Sequence, residues 1–122
     1  MLVNKDKNFD TMKRLDGNDQ VAMHQSLREW MHLAQEQRGV LWHFYNLSEV
    51  LTVEDVPRVE SALMIMRQIR ARVAELVGQF ALSPSSSVLQ TALKTLDSSI
   101  ADAEKYARWI LAFYHERNTF MQ

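Results

Sequence analysis

Residues 88–120 read VLQTALKTLDSSIADAEKYARWILAFYHERNTF. Within them Leu89, Leu93, Leu96, Ile100, Ala103, Ala107, Ile110 and Tyr114 recur at alternating spacings of four and three. A helix gathers such positions onto one stripe, and a stripe this long is covered by other helices. A second row, Tyr106, Trp109, Phe113 and Phe120, runs beside that seam and is unusually aromatic for a flank. Three of its rings have a structural use, because a neighbouring helix offers large residues to pack on. Trp109 fits that use least, since it projects among Asp102, Lys105 and Glu116.

Upstream of this segment lies Ala81-Leu82-Ser83-Pro84-Ser85-Ser86-Ser87. Pro84 stops an incoming helix, and one of the serines caps the outgoing one. The helix before it runs from Pro57 to about Leu82. Its seam is Val59, Ala62, Met66, Ile69, Val73, Leu76 and Phe80, widened by Leu63, Ile65 and Val77. Pro57 has no N–H to donate and belongs in a first turn. Asp55, or Thr52 through a short leading turn, is the expected cap, in a connection that starts at Leu51.

The first helix is expected to follow the turn cluster Asp16-Gly17-Asn18-Asp19. Met23, Leu27, Trp30, Met31, Ala34, Leu41 and Tyr45 share one face, with Arg38 at its centre. Beyond Gly39 an offset row takes over: Val40, Phe44, Leu47 and Leu51. The offset predicts a kink or a break near Gly39, because a mid-helix glycine weakens a helix by about 1 kcal/mol relative to alanine. A charge aimed at a core must reach solvent or find a partner, so Arg38 is expected to snorkel at a kink or to pair on another helix or subunit. Residues 1–17 hold no period and read as a flexible arm, leaving 18–122 as the folded domain.

Only three glycines and two prolines interrupt 122 residues, which favours long helices. Three rods of about 40–50 Å joined by short connections give an all-α, up-down-up bundle with coiled-coil-like packing. The first and third helices then run parallel. That topology puts Trp42, Phe44 and Tyr45 at the same end as Trp109, Phe113 and Tyr114.

The totals restrict function. Fourteen basic residues against fifteen acidic ones leave no overall field for nucleic acid. Cysteine is absent, so there are no disulfides and no thiolate ligands. No apolar run is long enough to span a bilayer and residues 1–14 lack the apolar core of a signal peptide, so a cytoplasmic location is expected.

Glu29-x-x-His32 is half of a di-iron motif, but no second copy exists and both residues point off the apolar face. His43, His115 and Glu116 fall at similar heights without making a fixed tetrahedral set. No serine-nucleophile elbow or phosphate-binding glycine loop is present. No cofactor, metal or catalytic residue is therefore expected, and the chain is read as non-enzymatic.

The expected role is to bind another protein, as a regulator, an inhibitor or a chaperone, with homodimerisation as an option. The residues expected at that surface are Tyr106, Trp109, Phe113, Phe120, Trp42 and Phe44. The alternative is a nucleic-acid surface on the second helix, built from Arg58, Arg67, Arg70 and Arg72.

Overall fold

The computed structural model describes residues 20–121, with side chains described for residues 20–117. The arm at 1–17, the turn cluster before the first helix and the Phe120 side chain lie outside the described residues. Helix α1 is Gln20–Asn46, α2 is Asp55–Gln79 and α3 is Ser86–Met121; one 3₁₀ turn, Ser48–Val50, follows α1. Each helix packs on the other two, and no strand occurs among the described residues. The fold is an all-α three-helix bundle.

Direction follows from the pairs between helices. Arg67 meets Glu104 and Arg70 meets Asp97, so α2 rises as α3 descends. Arg38 meets Asp102 and Trp42 meets Tyr106, so α1 and α3 run parallel.

The seam of α3 is buried at Leu89, Ala92, Leu96, Ile100, Ala103, Ala107 and Ile110. Leu93 and Tyr114, both placed in the seam by spacing, are half-buried at its edge. The α2 stripe is buried from Val59 to Leu76, with Leu63, Ile65 and Val77 as its half-buried margins.

On α1 the buried set is Met23, Leu27, Trp30, Ala34, Leu41 and Phe44. The gap between Ala34 and Leu41 holds Gln37 and Arg38, both half-buried. There the core divides into two clusters. One gathers Met23 to Ala34 with Ile69, Val73, Leu76, Leu89, Ala92 and Leu96. The other gathers Leu41 and Phe44 with Val59, Met66, Ile100 and Ile110.

Of the kink or break expected near Gly39, the break does not occur: α1 stays helical from Gln20 to Asn46. Gly39 lies on the exposed face with ordinary helical φ, and an added Cβ would meet nothing within 4 Å. The change of row therefore reflects the polar pair at positions 37 and 38, not a break in the backbone. Gly39→Ala should stabilise the protein by about 0.5–1 kcal/mol, chiefly by restricting the unfolded chain. Thermal unfolding followed by circular dichroism checks this; a lower midpoint would mean that the glycine relieves strain.

Helix α1 ends at Asn46, earlier than the Leu51 read from the apolar row, because its last carbonyls find other donors. Leu47 N–H is shared between the carbonyls of His43 and Phe44 (3.2 and 3.1 Å). The buried Ser48 hydroxyl donates to Tyr45 O (2.7 Å), and Asn46 Nδ2 donates to Trp42 O (3.0 Å). These bonds satisfy carbonyls that would otherwise be orphaned at the helix end. At the start of α2 the Asp55 carboxylate accepts from the Thr52 N–H (2.9 Å) and hydroxyl (3.1 Å), one arm of a capping box. Helix α2 stops at Gln79 instead of Leu82; Phe80 N–H closes on Leu76 O, and a serine turn leads into α3.

Candidate protein-binding surface

The parallel arrangement of α1 and α3 lines up two sets of rings. Trp42 stacks on Tyr45 at 5.8 Å between centroids and tilts against Tyr106 at 5.5 Å. Tyr45 lies 5.1 Å from Tyr106 and 6.2 Å from Trp109, and Trp109 lies 6.3 Å from Phe113. Five rings thus form one unbroken band across the α1/α3 groove. Its middle is half-buried, at Tyr45 and Tyr106, while Trp42 is 50% exposed and Trp109 54% exposed. Aromatic pairs at these distances hold each other's rotamers, so the band is presented as a fixed surface.

Phe44 belongs elsewhere. It is buried on the α2 side, and the Arg58 guanidinium lies over its ring at 5.3 Å. A helix turns about 100° per residue, which carries Phe44 away from the groove that Trp42 and Tyr45 occupy. Tyr45, first assigned to packing, takes its place in the band.

The arginines of α2 have partners within the chain. Arg67 donates to Glu104 (2.7 Å) and Arg70 to Asp97 (2.5 Å). The Asp97 contact, through its hydrogen bond first and its charge second, raises the Arg70 pKa above its ordinary value. Arg58 lies 3.8 Å from Asp55 as well as over Phe44. Arg72 is half-buried on the same helix. Such pairs at a bundle surface are individually weak, but they return local charge to near neutral where a phosphate-binding face needs a surplus.

Arg38 is half-buried, and its guanidinium reaches Asp102 on α3 at 3.5 Å. Its buried Nε has no hydrogen-bond partner. It is both snorkelling and paired, the two outcomes foreseen for it, and it does so on an unbroken helix.

Comparison with family models, with curated proteins and with solved structures returns no match.

Two clusters at the ends of the bundle carry no sequence signal. Arg117, near the end of α3, donates to the carbonyls of Ser48 (3.5 Å), Glu49 and Leu51 and lies over the Tyr114 ring at 5.6 Å. It clamps the connection after α1 to the end of α3. At the opposite end the buried Ser85 hydroxyl donates to Gln20 Oε1 (2.9 Å) and lies 2.9 Å from His24 Nε2. With its only proton given to Gln20, Ser85 accepts from the imidazole. That is the reverse of the arrangement in which a histidine takes a serine proton. This contact ties α1 to the turn before α3.

The other titratable groups considered from the sequence are dispersed. His32 pairs with Glu36 at 3.1 Å on an exposed face. His43, His115 and Glu116 are exposed, with His43 against Phe44 and His115 against Tyr114. Among the described residues no group of three or more His, Asp or Glu side chains is placed to hold a metal ion. No described helix is long and apolar enough to cross a membrane.

Proposed function

We propose that this chain acts by binding another protein through the band formed by Trp42, Tyr45, Tyr106, Trp109 and Phe113, as a regulator, an inhibitor or an assembly chaperone. The observation that carries the reading is the exposure of two tryptophans, Trp42 and Trp109, within one contiguous ring cluster. Tryptophan loses little conformational freedom on binding and concentrates interface energy. A contiguous exposed apolar patch marks a docking site far more often than scattered exposed residues do. The α2 surface is the weaker candidate, because Arg58, Arg67 and Arg70 are already engaged.

Affinity capture from the source cell, comparing the native chain with Trp109→Ala and Trp42→Ala, tests the proposal. Each variant should keep its helical circular dichroism, since both rings are half exposed. Each should weaken capture of the bound protein by about 30-fold, the effect of losing an anchor worth roughly 2 kcal/mol. Capture at native strength by both variants overturns the reading.

A further inference from the structure

The band continues onto the face of α3 that points away from the core. Lys105, Trp109, Ala112 and Glu116 follow one another at spacings of four, three and four, and all four are exposed. They therefore form one straight stripe along the outside of the helix. The charges on it differ from their neighbours. Asp97, Asp102 and Glu104 on the same helix are engaged by Arg70, Arg38 and Arg67. Lys105, Arg108 and Glu116 have no ion-pair partner among the described residues. A helix whose other acids are matched with bases thus leaves one acid unmatched, and on this stripe Glu116 and the unmatched Lys105 stand on opposite sides of the exposed tryptophan.

We infer that this stripe takes a second copy of the chain, with α3 packed antiparallel on α3 about a two-fold axis between Trp109 and Ala112. The inference rests on reading the band as a docking surface and names its occupant. Its support is that the stripe is complementary to its own reverse. Laid antiparallel, Lys105 faces Glu116 of the second copy and Glu116 faces its Lys105. Trp109 lies over the small Ala112, and Ala112 lies under the other Trp109.

Every contact occurs twice, as an isologous interface requires. A parallel pair would instead set lysine against lysine, glutamate against glutamate and indole against indole. Like charges across an interface are penalised, so charge selects the antiparallel form. The stripe and the adjoining Trp42 engage fewer residues than the about 20–30 a side of a standard stable interface. The dimer is therefore concentration-dependent and in rapid exchange.

Sedimentation equilibrium across a wide concentration range reads the dimer directly. The native chain should pass from the mass of one chain to that of two. Trp109→Ala should stay at one chain. Lys105→Glu and Glu116→Lys, each putting like charges opposite one another twice, should each weaken association at least tenfold. An equimolar mixture of these two variants, or the double variant, should restore it, because both arrangements rebuild opposite pairs. All these positions are exposed, and circular dichroism verifies that each variant is folded.

The chain has no cysteine, so an engineered cross-link gives the direction. Under mild oxidation Lys105→Cys mixed with Glu116→Cys should form a disulfide-linked dimer, and either variant alone should not. In the antiparallel form two copies of residue 105 lie about 16 Å apart along the axis. A mass that stays at one chain, failure of the charge swap to restore association, or cross-linking by Lys105→Cys alone each overturns the inference. If the chain stays monomeric while capture of a different protein still depends on Trp109, the dimer is wrong and the docking surface stands. If neither is seen, both are wrong.

Discussion

Leu96→Ala should lower the stability of the bundle by about 2–5 kcal/mol, through lost burial plus the cavity left behind. Leu96 is 1% exposed and packs in the cluster that joins α3 to Met23, Leu27, Ile69 and Val73. For a domain whose whole stability is of the order of 5–15 kcal/mol this is a large fraction. Urea unfolding should show a lower midpoint with an unchanged slope, and the thermal midpoint should fall by at least about 8 °C. An unaltered midpoint would mean that the seam is not packed. Trp109→Ala, on the same helix but outside the seam, should cost about 1 kcal/mol or less. The contrast separates the two faces of α3: the inner stripe holds the fold, and the outer one contributes little to it.

The second large effect concerns Arg117. It donates to three backbone carbonyls and covers a ring, so Arg117→Ala should cost about 1–3 kcal/mol, the range for lost charge-assisted hydrogen bonds. The loss should be local. Amide exchange in the connection 47–54 and the last turn of α3 should accelerate, while the cluster around Leu96 keeps its protection. Arg117→Lys retains the charge but not the planar fork, and should recover only part of the loss. Uniform acceleration across the bundle, or none, would count against a clamp at this point.

The bundle itself was legible in the residue spacing. A helix fixes which positions share a face, so the seams of α2 and α3 follow from counting, and short connections then fix the up-down-up path. What spacing misses is decided by contacts between distant positions. Arg117 meets residues 66–69 positions away, and Ser85 meets Gln20 and His24 from 65 and 61 positions away. Neither leaves a mark in its own segment.

The end of α1 escapes the residue spacing for a related reason. Leu47 and Leu51 continue the apolar row, while the side chain of Ser48 takes up the carbonyls that end the helix. Of the candidate surface, the rings on α3 were visible as an offset row. Phe44 was assigned by its end of the bundle alone, and only the angle around α1 shows that it faces α2 and that Tyr45 faces the groove. The opposition of Lys105 and Glu116 across Trp109 becomes meaningful once their neighbours on α3 are seen to be paired.

The polar interruption at Gln37 and Arg38 bears on a matter that the apolar stripes leave open. A three-and-four repeat is degenerate: α1 slid along α3 by seven residues, about 10 Å, would again set apolar side chains against apolar side chains. Arg38 makes those alternatives unequal. In the native alignment it meets Asp102; after a slide in either direction it would face Thr95 or Trp109, neither of which carries a charge. A partly exposed pair of this kind contributes about 1 kcal/mol or less, so losing it tilts the choice of alignment without deciding it alone. One imperfect ion pair, with an unsatisfied Nε, thus favours the axial register that also aligns Trp42 and Tyr45 with Tyr106 and Trp109.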